Sequence, residues 1–435
     1  MKIKDILQNL HIDEMNAMQK EAFDYISRKN DVVLLSPTGS GKTLAFLLPI
    51  LSRINTKVQN VQALILVPSR ELALQIEQVF KSMRTGLKVN SCYGGHDIKV
   101  EKNNLIHPPY ILVGTPGRIA DHIRREHFSC EDIHTLILDE YDKSLQLGFK
   151  EEMSFIISEL KNVKQKILTS ATKLDEIPNF TDINKFKEIN YLVDLINTNI
   201  QKRIVRAEEN DKLDVLYRLL CTLGNESSLI FCNHRAAVER ISDHLFDLGI
   251  IHDTFHGGLD QDVRERSLLK FRNGSINTLV TTDLAARGLD IPEINNVIHY
   301  QASYKEDDYI HRTGRTARMN ANGKSYILLG AEEDIPEYIK EIPPEEFIPS
   351  EVVLPEQTEW ITVYIAGGKK DKINKIDIVG VFCKTGKLDK NDIGIIEVKD
   401  FTSYVAIKRS KVKSLIKNLK GEKIKRKKLK IAVSK

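Results

Sequence analysis

A short loop of mostly small residues, Ser36-Pro37-Thr38-Gly39-Ser40-Gly41-Lys42-Thr43, lies between two apolar runs. The run before it, Asp31 to Leu35, predicts a buried strand, and the run after it, Leu44 to Leu48, predicts a helix. Backbone N–H groups at such a turn converge on one anion. The Lys42 amine would then reach the β- and γ-phosphates of ATP, and the Thr43 hydroxyl would hold Mg²⁺. The usual P-loop opens with Gly, whereas this loop opens with Ser36. The alternative that this is an ordinary turn before a helix therefore remains.

An acidic pair, Asp139 and Glu140, follows another apolar run, Leu136 to Leu138. Beside a phosphate loop, one carboxylate would complete the Mg²⁺ shell, and the second would orient and deprotonate the attacking water. Asp139, Glu140 and Thr43 are therefore the predicted metal ligands. The alternative is an acidic helix cap at Asp142.

A sheet must bring these side chains together. Up to about residue 198, apolar runs alternate with helical patterns, which predicts a doubly wound parallel α/β domain over residues 1–198. Ligands of such sheets bind beyond the carboxyl ends of the strands. Three further polar stretches follow apolar runs there, namely 68–73, 114–118 and 170–172.

The following region predicts a linker over residues 199–212 and a second α/β domain over residues 213–345. Arg315 and Arg318 are three residues apart, so we expect both on one helical face and directed at a phosphate of the bound nucleotide across a cleft. Asp290 is placed for a ribose hydroxyl. Ordinary surface ion pairs are the alternative for the arginines.

The last part of the chain differs in pattern and in charge. After a linker over residues 346–357, residues 358–435 predict a β-α-β-β-α-β unit of RRM-like topology. From Pro355 onward there are about 21 basic and 9 acidic residues, so this part carries near +12; since the total is +4, about −8 remains for the rest. Such asymmetry indicates a nucleic-acid partner, with a solvated lysine-rich face as the alternative.

Composition excludes several classes of protein. The 435 residues are 41% hydrophobic and 29% charged, as in globular proteins, and no apolar run approaches the ~20 residues that span a membrane. The first residues lack the apolar segment of a secretory signal. Five widely spaced cysteines predict reduced thiols and a cytoplasmic protein without a cysteine metal site.

Over residues 10–335 these motifs, in this order, resemble the DEAD-box RNA helicases, which implies two tandem RecA-like domains and RNA-dependent ATP hydrolysis. The resemblance implies that Gln19 reads adenine and that Asp142, Ser170, Thr172 and His311 couple the nucleotide to RNA. The implied nucleotide contacts are Gln19, Ser36, Thr38, Gly39, Ser40, Gly41, Lys42, Thr43, Gly288, Asp290, Arg315 and Arg318. The implied RNA contacts are Pro68, Ser69, Arg70, Gly94, Gly95, Thr115, Pro116, Gly117, Arg118, Gln261, Arg264, Thr282 and Asp283.

The sequence departs from the family pattern in three respects, one of which is that the segment before Gln19 is too short to carry the upstream aromatic that would stack on adenine. Tyr141 replaces a small residue after the acidic pair, so we expect a bulky ring to enter the site. Met15 to Met18 lacks the usual Pro-Thr before Gln19, which bears on nucleotide selectivity.

The C-terminal unit resembles the RNA-binding domain of the DbpA-type helicases in three segments, 363–372, 377–380 and 392–396. This implies binding to a 23S ribosomal RNA hairpin in precursors of the large ribosomal subunit. Because Lys399 to Tyr404 keeps aromatic rings at only some positions, we favour basic contacts to a folded hairpin over stacking of single-stranded bases. The candidate contacts are Lys369, Lys370, Lys372, Lys408, Arg409, Arg426 and Lys427.

The sequence therefore predicts a monomeric ATP-dependent RNA helicase that remodels short duplexes during ribosome assembly. Two alternatives stay open: a non-hydrolysing RNA clamp, and an enzyme of mRNA decay or DNA work that uses the basic tail as a general polyanion grip.

Overall fold

The computed structural model describes residues 3–37, 39–95, 97–173, 176–192, 200–286, 294–316, 322–425 and 427–434. The chain divides into two compact units, the first made mostly of residues up to 199 and the second mostly of residues from 200 onward. None of the helices in these ranges combines the length and hydropathy that a bilayer-spanning helix requires.

The first unit contains a parallel sheet with the strand order β3-β4-β2-β5-β6-β1-β7 in the described residues. Its strands are β1 (Asp31–Leu35), β2 (Ala63–Leu66), β3 (Val89–Cys92), β4 (Ile111–Gly114), β5 (Thr135–Leu138), β6 (Gln165–Ser170) and β7 (Phe186–Asn190). Its helices are α1 (Ile3–Asn9), α2 (Ala17–Ser27), α3 (Lys42–Leu51), α4 (Arg70–Ser82), α5 (Ile98–Leu105), α6 (Pro116–Arg124), α7 (Tyr141–Gln146) and α8 (Lys150–Glu159).

Both faces of this sheet are buried, because successive side chains of a strand point to opposite faces. In β1, Val32 and Leu34 belong to one apolar core, which includes residues of α2, α3 and α4. Val33 and Leu35 belong to the other core, which includes residues of α6 and α8. The near-continuous apolar runs of the sequence are thus strands covered on both sides, as expected of a doubly wound domain.

The second unit begins with another parallel sheet, in the order β10-β11-β9-β12-β13-β8. Its strands are β8 (Ile200–Arg206), β9 (Ser228–Phe231), β10 (His252–Phe255), β11 (Thr278–Thr281), β12 (Asn296–His299) and β13 (Gly323–Leu329), and its helices are α9 (Leu213–Leu223), α10 (Arg235–Asp247), α11 (Gln261–Arg272) and α12 (Glu306–Thr313).

The predicted linker over residues 199–212 is wrong for residues 200–206. Strand β8 pairs with the whole of β13, from Ile200 opposite Gly323 to Arg206 opposite Leu329. Strand β8 lies at the edge of the sheet, and only its Ile204 and Val205 are fully buried. Because its other side chains are mostly polar, the sequence shows no apolar run there.

The second predicted linker, residues 346–357, contains no helix or strand, and these residues are all among those described. It nevertheless packs against the second domain. The Glu346 N–H donates a 2.8 Å hydrogen bond to the Ile204 carbonyl, and the Ile348 side chain is buried in the core that includes β9 and α9. The first residues of this segment are therefore anchored.

The C-terminal domain has an antiparallel sheet in the order β15-β16-β14-β19. Its elements are β14 (Trp360–Ile365), α13 (Lys375–Lys384), β15 (Ile393–Val398), β16 (Ser403–Lys408), α14 (Arg409–Asn418), β17 (Lys423–Ile424), β18 (Lys427–Lys428) and β19 (Ile431–Val433). The predicted β-α-β-β-α-β order is confirmed, and its last strand, β19, has only three residues. Lys425 has a φ of 46°, which ends β17 and lets β17 and β18 form a separate hairpin.

Candidate functional site

The phosphate loop joins β1 to α3, as predicted. Gly41 has a φ of +89°, a left-handed conformation that residues with a Cβ rarely adopt, and a Cβ placed there would meet the Gln19 side-chain amide. The Lys42 amine lies within the loop, 2.5 Å from the Ser36 carbonyl oxygen and 2.9 Å from that of Pro37. Thr38 lies outside the described residues.

The start of α2 is tied to the phosphate loop. Asn16 and Gln19 form a reciprocal cap, in which each side chain accepts the backbone N–H of the other. The Gln19 amide then donates a 3.2 Å hydrogen bond to the Gly41 carbonyl, and the Asn16 amide donates a 3.0 Å bond to that of Ser40. Gln19 therefore lies beside the phosphate loop.

The carboxylates follow β5 at the same sheet edge. Asp139 is buried and accepts a hydrogen bond from the Thr169 hydroxyl on the neighbouring β6. Burial raises the pKa of Asp139, while that hydrogen bond and the Lys42 charge act in the opposite direction. Glu140 begins α7 with a φ of 47°, and its N–H donates to the Thr169 hydroxyl at 3.3 Å.

The donor chemistry fits a Mg²⁺ ion. A buried carboxylate whose ionised form is disfavoured gains from a nearby cation, and Asp139 and the Thr43 hydroxyl are oxygen ligands of the kind that Mg²⁺ prefers. Thr43 is the second residue of α3, directly after Lys42.

The loop after β6 contacts both helix α7, which follows the acidic pair, and the phosphate loop. The Thr172 hydroxyl donates a 3.1 Å hydrogen bond to the Asp142 carboxylate. The Ser170 hydroxyl donates to the Thr172 carbonyl at 2.7 Å, and the Ser170 carbonyl accepts the Ser36 N–H at 3.1 Å. A shift of the loop after β6 would therefore reach both α7 and the phosphate loop.

The expectation that the Tyr141 ring enters the site is wrong. Tyr141 is fully buried in the apolar core that contains Leu35, Leu138 and Ile119. Because successive residues at the start of α7 point in different directions, Glu140 and Tyr141 do not compete for the same space. The ring fills the core.

Three neighbouring strands, β2, β3 and β4, each lead into a predicted RNA-contacting segment. Ser69 caps α4 by accepting the Leu72 N–H at 3.2 Å. The Arg70 guanidinium lies 5.3 Å from the centre of the Tyr93 ring. A Cβ on Gly95 would collide with the same guanidinium. Residues 115–118 form the start of α6, with Pro116 in its first turn. The sheet order thus brings these segments to one edge.

Sequence reasoning missed Glu101, a buried carboxylate that joins two of these segments. It accepts hydrogen bonds from the Tyr93 N–H at 3.0 Å and from the Arg118 guanidinium at 2.9 Å. The His122 Nε2 atom lies 2.8 Å from the same carboxylate. A charged residue on the buried side of α5, four residues before the buried Leu105, was the available signal.

Glu101 and His122 also lie near Cys92, so that three possible metal-ligating atoms are within 4.8 Å of one another. The Arg118 guanidinium already supplies a positive charge to Glu101. Burial and the Glu101 charge raise the pKa of the Cys92 thiol well above its usual range, which disfavours the thiolate that binds metals. A hydrogen-bonded cluster accounts for these contacts.

In the second domain, Gln261 and Arg264 lie in the first turn of α11. The Arg264 guanidinium donates to the Gln261 side-chain oxygen at 2.6 Å, and the Gln261 amide donates to Glu265 at 2.7 Å. Thr282 and Asp283 follow β11, as predicted. The Asp283 carboxylate is bound by the fully buried Arg312, which leaves its backbone as the part that could contact RNA.

The expected helical arginine pair is wrong for Arg315. Helix α12 ends at Thr313, and Gly314 caps it, so Arg315 lies beyond the helix in a buried turn. His311 is buried in the last turn of the same helix. Three predicted nucleotide contacts, Gly288, Asp290 and Arg318, lie outside the described residues.

The basic candidates of the C-terminal domain differ in their surroundings. Lys369, Lys370 and Lys372 are exposed in the turn after β14. Lys408 and Lys427 pair with carboxylates of their own domain, Glu359 at 3.4 Å and Asp371 at 2.6 Å. Arg426 lies outside the described residues.

Arg409 has a structural role that the sequence did not indicate. Its guanidinium donates to the carbonyl and hydroxyl oxygens of Thr358, at 2.6 and 2.7 Å, and thereby holds the segment that enters β14. A direct contact of this guanidinium with RNA would have to replace those bonds.

Comparison with known proteins agrees with this geometry. The family described as DEAD/DEAH box helicase matches residues 16–180, the helicase conserved C-terminal domain matches residues 211–320, and the DbpA RNA binding domain matches residues 362–433. The ATP-dependent RNA helicase DbpA of Bacillus subtilis is 32% identical, over 98% of this chain and 96% of its own length. DbpA of Escherichia coli is 31% identical, over 94% and 92%.

Solved structures show the same architecture. Saccharomyces cerevisiae Dbp5, bound to RNA and ADP BeF3, superimposes with a TM-score of 0.68 at 28% identity, over 75% of this chain and 88% of its own. Mss116p, bound to ssRNA and AMP-PNP, gives 0.70 at 26% identity, over 80% and 77%. The two parallel-sheet domains are therefore RecA-like. The chain belongs to the DEAD-box ATP-dependent RNA helicases of the DbpA type.

Proposed function

We propose that this helicase acts on 23S ribosomal RNA during assembly of the large ribosomal subunit, where it separates short duplexes as a monomer in the cytoplasm. The observation that carries the proposal is the C-terminal domain, which matches the DbpA RNA-binding family and carries near +12 of charge on an otherwise acidic chain. Its exposed Lys369, Lys370 and Lys372 provide the charge for a folded hairpin.

The chemistry is hydrolysis of ATP. The N–H groups of residues 39–43 and the Lys42 amine hold the phosphates, and Lys42 exchanges its contacts with loop carbonyls for contacts with phosphate oxygens. Glu140 orients the attacking water and accepts its proton. Asp139 and Thr43 would hold Mg²⁺, which neutralises phosphate charge when bound.

Positive charge from the second domain completes the reaction. Arg315 and Arg318 stabilise the charge that develops on the transferred phosphoryl group, and Asp290 with Gly288 contacts the nucleotide. While ATP is bound, the loops after β2, β3 and β4, together with Gln261, Arg264 and residues 282–283, hold one RNA strand in a bent form. Its complementary strand cannot follow that bend, and hydrolysis releases the strand.

Charge reversal at three exposed lysines of the C-terminal domain tests whether this domain recognises the rRNA hairpin. Replacing Lys369, Lys370 and Lys372 together by Glu reverses three charges, and we expect the RNA concentration for half-maximal ATPase stimulation by a 23S rRNA hairpin to rise at least tenfold at fixed salt. Stimulation by an unrelated single strand should stay within about twofold of wild type.

The matched control is the same reversal at Lys384, Lys387 and Lys390, which are exposed in the same domain after or near the end of α13. This control changes the net charge by the same amount, so a purely general polyanion grip predicts the same loss in both variants. Equal losses would contradict hairpin binding by the turn after β14.

A further inference from the structure

The C-terminal domain is fixed to the second RecA-like domain by a buried polar contact at the end of α11. The Asn273 amide donates a 2.8 Å hydrogen bond to the Thr362 hydroxyl on β14, and the Ser275 hydroxyl lies 2.8 Å from the same oxygen. The Thr358 hydroxyl donates to the Ser275 carbonyl at 3.0 Å. Because buried polar groups must be paired with good geometry, this contact specifies one orientation of the domain.

A second contact joins the same two domains at Glu265, in the first half of α11. The Lys399 amine, in the turn after β15, forms an ion pair with the Glu265 carboxylate. The two side chains are 26% and 32% exposed, so the pair adds little stability on its own. The buried contact at Thr362 already holds the two domains together. The ion pair is therefore not needed for their attachment.

The ion pair lies between two surfaces that are proposed to bind RNA. On the C-terminal side, the Lys399 carbonyl accepts the Lys369 N–H at 2.8 Å, and the Asp400 carbonyl accepts the Lys370 N–H at 2.8 Å. On the core side, Glu265 accepts from Gln261 at 2.7 Å, and Gln261 accepts from Arg264 at 2.6 Å. Lys399 thus connects the turn that carries Lys369 and Lys370, through its backbone carbonyl, to Glu265 and the first turn of α11, through its amine.

We propose that the Lys399–Glu265 ion pair couples hairpin binding by the C-terminal domain to strand binding by Gln261 and Arg264. The pair acts in two ways. It holds the turn that carries Lys369 in register with the first turn of α11, and it neutralises a carboxylate that would repel RNA phosphates next to Arg264. Lys399 and Glu265 are positioning residues, and the inference rests on the proposed recognition of a hairpin.

The experiment uses the full chain and two RNAs, a 23S rRNA hairpin with a single-stranded extension and the same extension without the hairpin. The measured quantity is the ratio of the two RNA concentrations that half-maximally stimulate ATP hydrolysis. We expect Lys399→Met to lower this hairpin advantage about fivefold or more. Lys399→Arg should retain it, and nucleotide-free binding of an isolated hairpin without the extension should stay within about twofold of wild type.

The charge-reversed pair provides the decisive comparison. Lys399→Glu and Glu265→Lys should each lose the hairpin advantage, and the double variant should regain most of it, because the two charges act as a pair. A merely structural role would instead lower stimulation by both RNAs and leave their ratio unchanged. Lys411→Met removes the same charge from a pair within the C-terminal domain, 3.9 Å from Asp392, and should behave as wild type.

The outcomes separate this inference from the proposed function. A wild-type hairpin advantage that persists in Lys399→Met overturns the coupling and leaves hairpin recognition standing. Loss of nucleotide-free hairpin binding in Lys399→Met also overturns it, because Lys399 would then be an RNA contact. A wild-type chain without any hairpin advantage overturns both proposals.

Discussion

Asp139 and Glu140 are adjacent in sequence but lie in different environments. Asp139 is buried against Thr169 and influenced by Lys42, whereas Glu140 leaves the strand through a left-handed backbone conformation. That turn directs two consecutive carboxylates differently, which fits the proposed roles of Asp139 toward Mg²⁺ and of Glu140 toward the attacking water.

Glu140→Gln keeps the shape of the side chain and removes its basicity. We expect RNA-stimulated ATP hydrolysis to fall roughly 100-fold or more, because a positioned general base typically contributes a factor of that size. Binding of an ATP analogue and of RNA should stay within about threefold of wild type. The exposed Glu151→Gln provides the control. Hydrolysis at the wild-type rate by Glu140→Gln would remove Glu140 from the reaction.

Single residues also mark where sequence reasoning stopped. The phosphate loop and the acidic pair were recognisable because their chemistry requires particular residue types at fixed positions after a strand. The orientation of Tyr141 depends on which face of α7 is buried, and the roles of Arg312 and Arg409 depend on partners far away in sequence. No local pattern contains that information.

Helix α5 and helix α6 form a unit through one buried carboxylate. Glu101 on α5 holds Arg118 on α6, and it also holds the Tyr93 N–H at the end of β3. Two of the predicted RNA-contacting segments of the first domain therefore depend on one side chain.

Glu101→Gln would remove the carboxylate that pairs with the largely buried Arg118. We expect the first domain to lose about 2–4 kcal/mol of unfolding free energy, measured by urea denaturation, because breaking a buried ion pair is costly. Affinity for single-stranded RNA should fall as well.

The matched control is Asp121→Asn on α6, whose ion pair with Arg125 is exposed. The unfolding free energy of Asp121→Asn should fall by about 0.5 kcal/mol or less. If the stability and RNA affinity of Glu101→Gln both equalled those of the control, Glu101 would not be the residue that organises these segments.

The strands that sequence reasoning found and missed differ in burial. The runs at β1, β2, β4 and β5 are mostly apolar, since parallel strands covered on both faces bury nearly every side chain. Strand β6 is equally buried but apolar only at Ile167 and Leu168. Strands β3, β7, β8 and β10 have exposed or partly exposed residues, and each lies at an edge of its sheet. Edge strands are paired on one side only, so their sequences resemble loops.

The order of the domains along the chain was predictable, and the contact between the last two was not. Hydrophobic patterning indicated two parallel α/β domains and a small C-terminal unit, all of which the structure and its relatives confirm. The polar contact of Asn273 and Ser275 with Thr362 consists of residues that are ordinary turn and strand residues in the sequence. Their role is visible only in the folded chain, where their side chains contact one another.

Charge is distributed over the molecule in the way that its proposed task requires. An acidic body limits unspecific attraction to RNA, and the positive charge of the C-terminal domain suits the proposed contacts with RNA phosphates. Activation should therefore depend on the RNA that the C-terminal domain holds.

The comparison that decides this account is the initial rate of ATP hydrolysis by the wild-type chain at ~0.15 M salt. It is measured against the concentration of a 23S rRNA hairpin fragment and of an unrelated RNA of equal length. We expect half-maximal stimulation by the hairpin fragment at a concentration at least tenfold lower. Equal stimulation by both RNAs at every concentration would contradict the account.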